Sequence, residues 1–349
     1  MEEKIKKIVI KIPNSILISI FIILSIIIIM NGSVDFLSNF DKFQSEHIVN
    51  IIAIIKDFNI VYNHKFIFYL VYVLVIVVCL FKKYIKNDSI KIMIVNTFEN
   101  TKININTRYA YENKDFYIDL SENIKIIGKN YLNYLGIVKK IDTCVEEFMQ
   151  KKDEKYYAFA GILHTPFILR LGYKVGDQTY FKLFHKKRYE DKFKLLSDKD
   201  EYIGNYPKLN IEKQLKESNI LIVSIATTFP ITRQQLKEFN IEDNNYLKFE
   251  TEKLGFDIVL SEKQVNDYKK EIFDNIRKLC REKEIKLIHL CISSSVAFTF
   301  ALGQGFSEKY DPKVIIYNYE NQNYSWGLNL FESSENNIIC LKEKENIKK

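Results

Sequence analysis

The sequence predicts two N-terminal transmembrane α-helices followed by an α/β body built of two Rossmann-like halves. Three observations lead there. Two uncharged apolar runs near the N-terminus are bounded by lysines. From about Ile90 onward, short apolar strands alternate with longer amphipathic helices, the pattern of a mostly parallel sheet. A short motif, Phe167-x-Leu169-x-Leu171-Gly172, returns as Phe298-x-Phe300-x-Leu302-Gly303, 131 positions later.

The first apolar run is Ile12–Met30, 19 residues without a charge. At about 1.5 Å per residue it reaches about 28 Å, near the thickness of a bilayer's hydrocarbon layer. Four lysines (Lys4, Lys6, Lys7, Lys11) precede it, against Glu2 and Glu3. The second run, Phe66–Phe81, extends backward past Lys65, whose long side chain can snorkel, and ends at Lys82, Lys83 and Lys86. We read spans at about residues 12–30 and 62–82, joined by a connector over 31–61. The competing reading, a cleaved signal peptide, has only Asn31-Gly32-Ser33 as a candidate cleavage site, and a second span argues against it. Lysines flank the outer ends of both runs, which puts both termini in the cytoplasm and the connector outside. Ile48–Ile55 is apolar but too short to cross, and reads as an interfacial helix. Neither span carries an acidic or basic residue, so neither shows a proton relay or ion-pair pathway.

The body runs over 90–349, with halves of about 90–210 and 211–349. In the first half, Ile90–Val95, Phe116–Leu120, Tyr156–Ile162 and Thr179–His185 read as strands. Lys129–Gln150 reads as a long helix and Phe167–Leu171 as a short one. Lys186–Ser218 is polar and loop-like. The order then recurs. Ile220–Ala226 is a strand, Ile231–Phe239 a helix, and Tyr246–Glu250 a short strand. Ser261–Glu282 is a long helix, with Ser261 and Gln264 at capping-box spacing. Leu287–Cys291, apolar apart from His289, is a strand. Ser293, Ser294 and Ser295 then lead into the apolar helix Val296–Gly303, and Lys313–Tyr319 is a further strand.

In an open parallel sheet a ligand binds at the carboxyl ends of the strands, where helix N-termini offer unpaired N–H groups to anions. The candidate site residues follow from that rule. Ser293, Ser294 and Ser295 stand between a strand and a helix, and His164 and Thr165 occupy the matching place in the first half. Thr227 and Thr228 follow the strand Ile220–Ala226, before the helix Ile231–Phe239. Lys186, Lys187 and Arg188 cluster at another strand end, where they suit phosphate. Among the alternating aromatics Tyr317, Tyr319, Tyr324 and Trp326, the last two are candidates to stack on bases. Each group also has a purely structural reading, as helix cap, solvated face or core. Two such halves facing each other suit a ligand with several phosphates. The formal net charge of +7 fits an anionic ligand or a membrane surface and falls short of a protein that coats DNA or RNA.

Catalysis and metal binding find little support. There is no paired His–Ser or His–Cys motif, no G-x-x-x-x-G-K loop and no carboxylate cluster at metal spacing. The five cysteines form no Cys-x-x-Cys pair and read as reduced thiols. We expect no metal, no cofactor and no enzymatic turnover. Two other readings stay open: a membrane-anchored nucleotide or phosphoester hydrolase, and a passive tethered nucleotide-binding module.

Ala297-x-x-x-Ala301-Leu302-Gly303, followed by Val314-x-x-Tyr317, resembles the second half of SAVED domains. Thr165–Tyr173, TPFILRLGY, resembles the proline-containing element of their first half. SAVED domains are fusions of two CARF-like halves and serve as sensors in cyclic-oligonucleotide-based anti-phage signalling (CBASS). One subset places two transmembrane helices before the sensor, as here. One departure is that members often carry a proline in the second loop, where this chain has serines. The resemblance implies a receptor for a cyclic oligonucleotide, among ring sizes a cyclic trinucleotide. The ligand would be made by a nucleotidyltransferase of the CD-NTase type. Binding would drive homo-oligomerisation, and the spans would then disrupt the bacterial inner membrane in an abortive infection.

Overall fold

The computed structural model describes residues 76, 89–98, 103–106, 112–120, 132–150, 156–177, 180–190, 192–196, 206–332 and 338–340. The expected spans at 12–30 and 62–82 lie outside these residues apart from Ile76, as do the connector and Ile48–Ile55. Among the described residues, no helix is long and apolar enough to cross a membrane. The chain divides into two compact units. One is Met1–Asp88 with Tyr109–Glu112, of which Ile76, in a helix, and Glu112 are described. The other is Ser89–Arg108 with Asn113–Lys349.

The second unit holds two sheets. The first contains β1 (Ser89–Asn96), β2 (Ile105–Asn106), β3 (Glu112–Asp119), β4 (Tyr156–Ile162), β5 (Phe181–His185) and β6 (Phe193–Leu195), in the spatial order β2-β6-β5-β4-β1-β3. Its helices are α1 (Leu132–Gln150) and α2 (Thr165–Val175). The second sheet contains β7 (Leu209–Gln214), β8 (Ile220–Ala226), β9 (Asn245–Thr251), β10 (Leu287–Ser293), β11 (Lys313–Glu320), β12 (Asn323–Asn329) and β13 (Ile338–Cys340), in the order β13-β12-β11-β10-β8-β9-β7. Its helices are α3 (Glu262–Glu282), α4 (Val296–Gly303) and a 3₁₀ helix over Arg233–Phe239.

The central strands β4, β8 and β10 run parallel to their neighbours, with interiors largely buried on both faces. Burial on two faces asks for largely apolar runs without acidic or basic side chains other than a neutral histidine, and that is how their sequences read. His289, inside β10, shares a 2.8 Å hydrogen bond between Nδ1 and the Tyr317 hydroxyl. Burial pushes its pKa down to about 4, so it stays neutral. Gln264 closes the start of α3: its N–H donates to Ser261 Oγ, and its Oε1 accepts from Leu260 N.

The duplicated motif proves to be a contact. In both sheets the parallel core (β5-β4-β1 and β11-β10-β8) is flanked on one side by an antiparallel strand, β6 or β12. The helices that carry the motif, α2 and α4, pack directly on each other. A Cβ placed on Gly172 would lie 2.1 Å from the Phe300 carbonyl oxygen, and one on Gly303 would lie 2.2 Å from that of Leu169. Leu169 and Phe300 are themselves related by the same offset as the two glycines, so the crossing repeats itself about a local dyad. Glycine is needed there because only a residue without Cβ lets the backbones approach so closely. Phe300 also stacks on Phe159 of the first sheet, ring centroids 4.1 Å apart, and one cluster of buried apolar side chains draws on both halves.

Three sequence expectations need correction. The stretch Lys186–Ser218, read as loop, contains β6 and β7. β6 has three residues, and β7 is an edge strand paired only with β9, so its outward positions are polar. The helix expected over Ile231–Phe239 is a 3₁₀ turn capped by Thr232, with Gln235 completing a capping box. Thr227 and Thr228 therefore cap nothing there. Finally, Tyr324 and Trp326 do not share a face. β12 carries a bulge in which Asn318 pairs with Trp326 but Tyr319 pairs with Tyr324, and the extra residue reverses the alternation.

Candidate functional site

The carboxyl ends of β4, β5, β8 and β10 open onto one cleft of about 960 Å³. Its walls are built of the residues at and after those four ends: Gly161, Ile162 and Thr165, then Phe184 to Arg188, Thr228 to Thr232, and Ile292 to Ala297. The location is the crevice that parallel topology predicts. The volume is at the upper end of the range for small-molecule sites.

The wall at β8 and β10 is held together by hydroxyls. The N–H groups of Thr227 and Thr228 both donate to the Ser293 carbonyl, at 2.9 and 3.0 Å. The Thr227 and Ser294 hydroxyls are 2.8 Å apart. Ser293 Oγ accepts from Phe229 N at 3.1 Å, and Ser295 Oγ accepts from Phe298 N at 3.3 Å as the cap of α4. Ser293 and Ser295 thus serve as acceptors within the wall, and each keeps an O–H proton that can be donated to a ligand. Thr228 Oγ1 is buried without a hydrogen-bond partner among the described residues, at a residue that lines the cleft.

The opposite wall brings charge. Lys186, Lys187 and Arg188 all line the cleft, and among the described residues none that lines it is a carboxylate. The Arg188 guanidinium lies over the Phe256 ring, 4.4 Å from its centroid, which fixes its plane. Beside it, His185 Nε2 is 3.1 Å from Asp257 Oδ1. Aromatic faces complete the site: Phe229, 55% exposed, meets Phe256 edge to face at 5.0 Å, and Tyr319 and Tyr324 lie on the second sheet.

Nine of the twelve sequence candidates therefore line one cleft: Thr165, Lys186, Lys187, Arg188, Thr228, Ser293, Ser294, Ser295 and Tyr324. Thr227 sits just behind the wall, buried, with its hydroxyl on Ser294. His164 turns away from the lining. Its Nδ1 is 3.2 Å from the Thr97 hydroxyl, and its ring stacks on Phe98 at 4.7 Å. Burial lowers its pKa, opposed by the carboxylate of Glu320. Trp326 is fully buried and packs against Phe167 on the other face of its sheet, so its ring offers nothing to a ligand.

A family model described as "SMODS-associated and fused to various effectors sensor domain", SAVED, matches residues 141–330. The chain belongs to the SAVED family. The match covers both helix N-termini and all four strand ends around the cleft, while β1, β2 and β3 lie before it. Solved structures resemble this SAVED chain more distantly. The Acinetobacter baumannii Cap4 SAVED/CARF-domain receptor with the cyclic trinucleotide 2'3'3'-cAAA is 15% identical, with 69% of this chain and 51% of that chain covered and a TM-score of 0.48. The same receptor with 3'3'3'-cAAA is 16% identical, at the same coverage and TM-score. The Moraxella osloensis Cap4 receptor is 16% identical, with coverage of 65% and 49% and a TM-score of 0.39. The chain thus spans about half the length of these receptors. A comparison with curated proteins finds no match.

Sequence reasoning missed Phe229, Phe256 and Gln235 of this SAVED domain's cleft. The phenylalanines stand in irregular segments, where no periodicity marks a face. Gln235 did have a signal, the Thr-x-x-Gln of a capping box at Thr232–Gln235.

Proposed function

We propose that this chain is a receptor for a cyclic oligonucleotide, and among ring sizes for a cyclic trinucleotide, acting in CBASS-type anti-phage defence. The carrying observation is the cleft itself: about 960 Å³ at four strand ends, with three cationic side chains, a wall of hydroxyls, exposed aromatic faces and, among the described residues, no lining carboxylate. A cyclic oligonucleotide presents what such walls complement, phosphates on a ring and bases on its rim. Hydrogen bonds to a charged partner contribute about 1.5–3 kcal/mol each, and base–aromatic stacking about 1–3 kcal/mol. Membership of a family of sensor domains supports the reading, as do the cyclic trinucleotides in the two Acinetobacter receptor structures. The Ser293–Ser295 loop, Thr165 and the Lys186–Arg188 cluster hold the phosphates, and Tyr324 lies on the base side.

On this reading the ligand comes from a CD-NTase-type nucleotidyltransferase, and binding drives homo-oligomerisation. The N-terminal spans, anchored in the bacterial inner membrane with both termini and the sensor in the cytoplasm, then disrupt that membrane and abort the infection. The chain itself is a receptor and effector and turns nothing over. The test uses the full chain in detergent micelles. Added 3′3′3′-cyclic tri-AMP should bind and shift the chain to a larger species on sizing, and the same addition should release dye from vesicles that carry the chain. No binding to any cyclic di-, tri- or tetranucleotide would overturn the reading.

A further inference from the structure

The Gln235 side chain lines the cleft and has no freedom to turn its amide over. Its Oε1 accepts from Thr232 N at 2.8 Å, as the reciprocal half of the capping box. Its Nε2 donates to the Tyr319 hydroxyl at 2.7 Å. A flipped amide would set an NH₂ group against the Thr232 N–H, donor against donor. The orientation is therefore set by the backbone and by a second side chain, and it holds before any ligand arrives. One N–H on Nε2 and one lone pair on Oε1 remain unused.

We propose that Gln235 is the base-reading residue of this cleft and that it reads adenine. The inference rests on the receptor reading above. A carboxamide with one free donor beside one free acceptor matches the N7 and N6–H edge of adenine, the bidentate pairing that glutamine makes to that base in nucleic-acid complexes. On that edge guanine presents two acceptors, N7 and O6, one of which would face the Oε1 lone pair; guanine matches the carboxamide only by turning its O6 and N1–H edge to it, a different orientation of the base. Preorganisation adds to the discrimination, because a fixed amide cannot rotate to suit the wrong base. Phe229, exposed at the same cleft, supplies a face on which a base read in this way can stack.

The test measures binding of 3′3′3′-cyclic tri-AMP and of 3′3′3′-cyclic tri-GMP to the full chain in detergent. The wild-type chain should bind the adenine ring at least about tenfold more tightly, the scale of one bidentate pair. Gln235→Glu keeps the capping box, since a glutamate at this position also accepts from the cap N–H, but it exchanges the donor for an acceptor. Its added charge weakens both ligands, so the ratio is the readout, and it should fall to about twofold or less on loss of the pair, since a carboxylate accepts from the guanine N1–H and N2–H at least as well as from adenine N6–H. Gln235→Leu, neutral, should show the same collapse, with the unfolding midpoint as a check on the fold. A ratio that survives in both variants, or a wild-type chain that takes the guanine ring equally well or better, overturns the assignment while leaving the receptor reading intact. A wild-type chain that binds neither ring nor any other cyclic oligonucleotide overturns both.

Discussion

The two halves share a topology and differ in what they do with it. At the end of β10, three serines and the threonines after β8 form a wall in which every serine hydroxyl is engaged. At the matching place after β4, His164 caps nothing with its side chain and bonds to Thr97 instead. The duplicated helices diverge in the same way. Arg170 in α2 is fully buried. Its Nε and Nη2 donate to Asp142, at 3.0 and 2.6 Å, and its Nη1 donates to the carbonyls of Leu330 and Glu332. At the matching position of the repeat, α4 has Ala301. The first copy has become the structural anchor, tying α1 and the end of β12 to the crossing, and lends the cleft its cations from β5. The second copy supplies the hydroxyl wall. A duplicated fold can thus keep its crossing symmetric and divide the remaining work.

Arg170→Ala should break this division most severely. It takes the two-pronged partner from Asp142, which keeps Lys174 at 3.1 Å, and removes a donor to the carbonyls of Leu330 and Glu332; removing one member of a buried pair costs about 3–5 kcal/mol. Urea unfolding of the full chain should show a midpoint lowered accordingly. Gly303→Ala attacks the symmetric part. Its Cβ must displace the Leu169 carbonyl, and overpacking of this kind costs about 1–3 kcal/mol; Gly172→Ala should cost the same within error if the dyad is real. Thr227→Val is the mildest. It removes the hydroxyl behind Ser294 without changing volume, and the loss of one hydrogen bond, about 0.5–1.5 kcal/mol, should appear in ligand affinity more than in the unfolding midpoint.

Much of this comparison could be read in the sequence. β4 and β8 match their expected bounds because strands buried on both faces cannot hide a charge. The repeat was visible because the crossing tolerates no side chain at either glycine. What escaped has equally physical reasons. β7 lies at a sheet edge, where one face and one row of backbone groups meet water, so its polar residues look like a loop. Trp326 reads as a neighbour of Tyr324 because two-residue spacing implies one face, and the bulge in β12 shows in no composition or period. Arg170 looked like any cation on a helix, because its partners come from residues 28 and 160 positions away.

The most direct test of the account is equilibrium binding of 3′3′3′-cyclic tri-AMP to the full chain, with Lys186, Lys187 and Arg188 intact or all changed to alanine. The account predicts saturable binding to the intact chain that weakens as salt rises, and a loss of at least about a hundredfold without the three cations, which together make several charge-assisted contacts. Equal affinity in the two chains would contradict it, because the three cations would then take no part in holding the phosphates.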